Sequence, residues 1–179
     1  SITVEGTGTL SRLVKLSNIT GTGTLGISLA ANTASDAAGN QALPVAAPSM
    51  TFTVDNTAPT GTISISSGSN YAYTSTSIVT LHLTATDTGS GGIQMRFSND
   101  NVSWSSWASF ASTYSWTLSD GQGTKTVWCQ WNDLAGNSST AISGTIFLDS
   151  NVPTGSISIN GGATNTAGSA VTLTLTYFD

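Results

Sequence analysis

The side chains best suited to chemistry in this chain are aspartates, and their spacing recurs. Eight of the nine acidic residues are Asp, and six of those eight stand at three repeated positions. Asp36 and Asp133 each open an Asp-Xaa-Ala-Gly-Asn pentapeptide. Asp55 and Asp149 each close an apolar segment and precede a proline, Pro59 or Pro153. Asp87 and Asp179 each close a segment that alternates Thr with larger apolar residues. Carboxylates gathered from these three positions would form a hard, all-oxygen ligand set of the kind Ca²⁺ takes, six to eight flexible oxygens at a time. Two like unit charges ~5 Å apart repel by roughly 3 kcal/mol at an effective dielectric of ~20, and a cation removes that cost. Turn-making is the competing role, with each Asp or Asn side chain bonding its own backbone and Gly39 and Gly136 taking positive φ. It accounts for any one motif alone.

Other chemistries find less to work with. His82 is the only histidine and Cys129 the only cysteine, so zinc ligation and an intrachain disulfide are both excluded. Cys129 reads as a small buried hydrophobe. No nucleophile with an orienting acid assembles around His82, and an enzyme is not expected. Gly21-Thr-Gly23-Thr-Leu-Gly26 matches the dinucleotide fingerprint, but the strand–turn–helix context is missing and it reads as a β-turn. Lys125 has inward parity and reads as a snorkelling lysine rather than half of a Lys–Asn isopeptide link. The sequons at Asn18, Asn101 and Asn137 are expected by chance where Ser and Thr make up nearly a third of the residues. Trp131 shares inward parity with Val127 and Cys129, while Trp104, Trp107 and Trp116 read as closing one edge of the core. Trp128 points outward and is the candidate glycan contact.

Strands must position these groups, because apolar residues alternate almost everywhere. Alternation predicts strands around 62–66, 77–86, 93–98, 103–110, 113–118, 124–132 and 142–148. Inward faces carry Val79, Leu81, Leu83 and Ala85, then Met95 and Phe97, then Val127, Cys129 and Trp131. Seven short strands with turn signals between them predict an immunoglobulin-like β-sandwich. The same plan predicts strands near 2–5, 11–16, 24–30 and 48–54, and again after Pro153. Asp55-Asn-Thr-Ala-Pro59-Thr-Gly-Thr-Ile63-Ser-Ile65 is echoed by Asp149-Ser-Asn-Val-Pro153-Thr-Gly-Ser-Ile157-Ser-Ile159. Self-similarity at a long fixed period marks a tandem array. The expected fold is therefore all-β, in tandem immunoglobulin-like sandwiches. Residues 1–57 are the later part of one repeat, 58–150 a complete repeat, and 151–179 the opening strands of a third. The partial repeats are expected to be excerpts of a longer protein or to be completed by a neighbouring molecule.

In that topology the strand ending at Asp55 delivers its carboxylate to the loop pole of the next sandwich. Asp55, Asp87 and Asp133 are expected to meet there, with Asn137 nearby. Asp149 and Asp179 are expected to meet at a second junction, and Asp36 marks the equivalent loop of the preceding repeat. Convergence of three carboxylates favours calcium over independent turns.

Composition narrows the partners. Only 7% of residues are charged, with four Lys and Arg against nine acids and a net charge of −5. No basic stripe is available for phosphates, so nucleic acid is excluded. The apolar runs are strand-length, so no membrane insertion is expected in this segment. Low charge with abundant Gly, Thr and Val fits β-structure rather than disorder.

The Asp-Xaa-Ala-Gly-Asn loop, a strand and Asp-Xaa-Xaa-Xaa-Pro together resemble the bacterial immunoglobulin-like repeats of large cell-surface proteins and adhesins. Met95-Arg-Phe-Ser-Asn-Asp100, the Trp104 and Trp107 pair, and Gly123-Thr-Lys-Thr-Val127 are similar to one recurrent subtype of those repeats. Two Gly-Thr-Gly-Thr-Leu runs, at 6–10 and 21–25, look like a different subtype. The resemblance implies an extracellular, cell-surface spacer with Ca²⁺ at its junctions, and neighbouring repeats as its partners. Two other functions stay open: a carbohydrate- or protein-binding module, and a filament in which 153–179 supplies strands to 1–57 of a neighbour.

Overall fold

The computed structural model describes residues 1–5, 13–45 and 50–179. The run at 6–10 and the first residues of the strands expected at 11–16 and 48–54 lie outside the described residues. What is described is all-β: fourteen strands in five sheets. The central part holds two of them. A three-stranded sheet runs β10 (Thr113–Thr117), β7 (Ile78–Thr86), β5 (Thr60–Ser66). A five-stranded sheet runs β6 (Tyr73–Thr74), β12 (Ile142–Leu148), β11 (Gly123–Asn132), β8 (Gln94–Ser98), β9 (Ala108–Ser109).

Both sheets turn their apolar parity onto one core, the arrangement of a β-sandwich. From the first sheet come Ile65, Val79, Leu81 and Leu83; from the second come Met95, Phe97, Val127, Cys129, Trp131, Ile146 and Leu148. Leu81, Val127 and Cys129 are fully sealed. Small residues stand at close approaches both between the sheets and between neighbouring strands. A Cβ at Gly144 would stand 3.2 Å from Ile65, and one at Gly61 would overlap the Thr84 carbonyl oxygen at 2.0 Å. On the outward side, hydroxyls bond across the strands, Thr62 to Thr84 at 2.7 Å and Ser66 to His82 Nε2 at 2.8 Å.

Flanking this core are three two-stranded pairs. β1 (Ile2–Glu5) pairs β2 (Leu13–Leu16), β3 (Gly23–Leu25) pairs β4 (Phe52–Val54), and β13 (Thr154–Ile159) pairs β14 (Leu173–Phe178). The strand expected at 24–30 is shorter than its alternation suggested. Among the described residues, regular pairing runs from Gly23↔Val54 to Leu25↔Phe52, and an isolated bridge joins Leu29 to Val45. β6 was not anticipated: two residues beside Phe147 and Leu148, too few to show an alternation.

Candidate metal centre

Three segments meet at the end of the central core where the preceding chain joins it. Asp55 follows β4, Asp87 follows β7, and Asp133 follows β11. One carboxylate oxygen from each lies within 4.8 Å of the others. It is the one such group of three among the described residues. Asp133 is 2% exposed, Asp55 is also buried and Asp87 partly so.

Each carboxylate is aimed by its own loop. Asp133 Oδ1 accepts from the Asn137 backbone N–H at 2.9 Å and Oδ2 from the Asn137 side-chain amide at 2.8 Å. Gly136 takes φ +92° to let the loop close, the left-handed region open to glycine. Asp87 Oδ2 accepts from Gly89 and Gly91 N–H groups at 3.2 and 3.1 Å. Asp55 Oδ1 accepts from Thr57 N–H at 3.0 Å and from the Thr22 hydroxyl at 3.3 Å, and Oδ2 from Ser90 N–H at 2.6 Å. The Thr57 and Ser90 N–H groups, in that order, hold the Asp55 carboxyl below its ordinary pKa because they bond the ionised form.

The loops also bond one another. Asn137 donates to the Asp55 carbonyl at 3.1 Å, Leu134 N–H to the Gly91 carbonyl at 3.2 Å, and Ala135 N–H to Ser90 Oγ at 3.2 Å. One oxygen is left over. Asp87 Oδ1 is shielded from solvent and has no hydrogen-bond partner, although buried acceptors are ordinarily satisfied.

The remaining expected ligands fall elsewhere. Asp36 stands apart and exposed, its carboxylate closed on its own pentapeptide: Oδ1 accepts from Ala38 and Asn40 N–H, Oδ2 from the Asn40 amide. The Asn40 side chain is the largest influence lowering its pKa. The Asp133 loop repeats this geometry, Gly39 at φ +89° matching Gly136. Turn-making is thus present at both pentapeptides, and convergence is added only at Asp133. Asp149 Oδ1 accepts from Asn151 N–H at 3.0 Å, as Asp55 does from Thr57. Asp149 lines a cleft with Tyr73 and Thr74, while Asp179 lines another with Asn151 and Thr154.

The tryptophans are largely engaged. Trp131 is core, 1% exposed. Trp104 and Trp107 flank the Arg96 guanidinium at 4.9 and 4.5 Å, a cation–π pairing, and Arg96 donates through Nε and Nη2 to Gln130 Oε1. Trp116 packs on Phe97 and donates to Asn99. Trp128, expected to face outward, is only half-buried. Lys125 lies buried, its ammonium donating to the Asp120 carbonyl at 2.7 Å. Sequence reasoning did not find the Ser66–His82 bond; its signal is cross-strand register, visible only once β5 and β7 are paired. Ser66 is 1% exposed. No protein-family model and no curated protein matches the sequence.

Proposed function

We propose that this chain is a structural spacer segment of an extracellular repeat protein, stiffened by calcium where successive immunoglobulin-like sandwiches join. One observation carries the reading. The clustered carboxylates come from both sides of a boundary, Asp55 from residues 1–57, Asp87 and Asp133 from residues 58–150, and Asp87 keeps a buried oxygen without a partner. An all-oxygen donor set of three carboxylates suits a hard divalent cation. Asp55, Asp87 and Asp133 would hold the ion, which would neutralise their mutual repulsion. Asn137 ties the same boundary together through Asp133 and the Asp55 carbonyl. Extracellular modules of millimolar-range affinity fill outside cells and empty in the cytosol, which fits a stalk on a bacterial surface that rigidifies once exported.

The test is calorimetric. Calcium added to the 179-residue chain should bind with measurable heat and raise the melting temperature by several degrees over the chelated state. Asp87→Asn should remove the calcium increment and leave the melting temperature in chelator nearly unchanged. Equal melting temperatures with and without calcium, together with no binding heat, overturn the reading.

A further inference from the structure

We propose that Asp120–Gly121 is a site of spontaneous covalent change, where the chain re-forms through the Asp120 side chain as an isoaspartyl link and slackens its hold on Ser150. The pair lies in the turn between β10 and β11. Asp120 is the only aspartate that glycine follows, so no Cβ on the next residue hinders approach of its backbone nitrogen to the Asp120 Cγ. Both groups are also untied. Asp55, Asp87, Asp100, Asp133 and Asp149 all accept backbone N–H groups. Among the described residues nothing donates to the Asp120 carboxylate, and the Gly121 N–H donates to no protein group. Both residues are exposed. A matching turn is equally open where the two central sheets follow it. Gly21 repeats Gly121, φ +86° and +85°, Gly23↔Val54 repeats Gly123↔Leu148, and Thr20 and Gly21 are exposed there. The only asparagine followed by glycine, Asn160, is held instead, its Oδ1 accepting from Thr172 N–H at 2.8 Å.

The fold places a cation on this peptide unit. Lys125 is buried, with its ammonium 2.7 Å from the Asp120 carbonyl oxygen. A Cβ on Gly121 would lie 3.8 Å from the same Nζ. That oxygen belongs to the amide whose nitrogen is Gly121's. As the nitrogen attacks, its amide gives up a proton and negative charge spreads onto the oxygen, where a fixed donor stabilises it. Gly121 N bonds to Asp120 Cγ while the amide proton and the carboxyl hydroxyl leave together as water, closing a cyclic imide. Water adding at the main-chain carbonyl then breaks its bond to Gly121 N and leaves the chain running through Cγ. Addition at Cγ restores Asp120. The isoaspartyl form has an extra main-chain atom just ahead of Gln122. Gln122 is tied to the end of β12, its amide donating to Ser150 Oγ and its Oε1 accepting from Ser150 N–H at 2.9 Å. A lengthened turn moves that anchor.

The intact chain, kept folded for weeks at neutral pH and body temperature, is compared with the same chain in urea. Peptide mapping with electron-transfer fragmentation reads isoaspartate at position 120, a change without mass and so distinct from deamidation at Asn160. The folded chain should convert faster than the unfolded one, in which Lys125 is no longer held at the carbonyl. Lys125→Met should slow the folded rate about tenfold, the scale of one hydrogen bond to a charged group, and leave the rate in urea unchanged. Hydrogen exchange at Ser150 N–H should quicken in step with conversion. A folded rate no greater than that in urea overturns the proposal, whether or not Lys125→Met folds. So does a folded Lys125→Met chain that converts like the parent, or Ser150 exchange that ignores the conversion.

Discussion

Gly89 shows how closely the carboxylate site is built. A Cβ there would lie 2.1 Å from the Asp55 Cγ and 2.2 Å from its Oδ2, so the residue is glycine for space rather than for conformation. Its neighbour Gly91 is the opposite case, with φ +63° and open surroundings. Gly89→Ala is expected to displace the Asp55 carboxylate, lower the melting temperature by several degrees, on the scale of ~1–3 kcal/mol for forced overpacking, and abolish any calcium response. A thermal melt in calcium and in chelator checks both effects. The three aspartates were legible because each has a counterpart in a similar stretch of sequence, Asp149, Asp179 and Asp36, and strand order carries Asp55, Asp87 and Asp133 to one pole. Gly89 was not legible: within Thr88-Gly-Ser-Gly-Gly it reads as ordinary turn sequence. Nothing local announces that a carboxylate from 34 residues upstream will lie against it.

Strands were legible wherever a period of two had enough residues to declare itself. Val79, Leu81 and Leu83, and Val127, Cys129 and Trp131, bury as their parity requires. Tyr73–Thr74 escaped because two residues have no period, and the strand expected at 24–30 was overestimated because alternation in one strand does not show where regular pairing with its partner stops, here after Leu25↔Phe52. Loops depended on carboxylates more than their turn residues alone suggested. Asp100 accepts from Ser103 and Val102 N–H at 2.7 and 2.8 Å and from Ser98 Oγ. Those donors, Ser103 first, hold its pKa well below the carboxylate range. Asp36 and Asp55 are lowered for the same reason. A carboxyl with a depressed folded pKa stabilises the fold fully above its ordinary pKa near ~4 and loses that contribution as pH falls through the folded value. These loops should therefore leave the melting temperature flat between neutral pH and about pH 5 and pull it down below about pH 4. Asp100→Asn should make the acid side of that profile shallower, as melts across pH would show.

At the scale of the whole molecule, burial is uneven. The sealed apolar core is drawn from residues 65–148, while Val4, Leu13, Leu43, Leu175 and Tyr177 on either side are more than half exposed. That unevenness gives Cys129 an unforeseen use. It is the only sulfhydryl in the chain, it has no exposed surface, and burial pushes its pKa up to about 12. A thiol held neutral and walled in cannot react until the sandwich parts. Under native conditions, uptake of a thiol reagent should proceed at the rate at which the two central sheets part, slowing whenever anything bound steadies them. Fast modification of a chain that remains fully folded would contradict this. The protein thus carries its own stopwatch, set in the one place where only complete opening can start it.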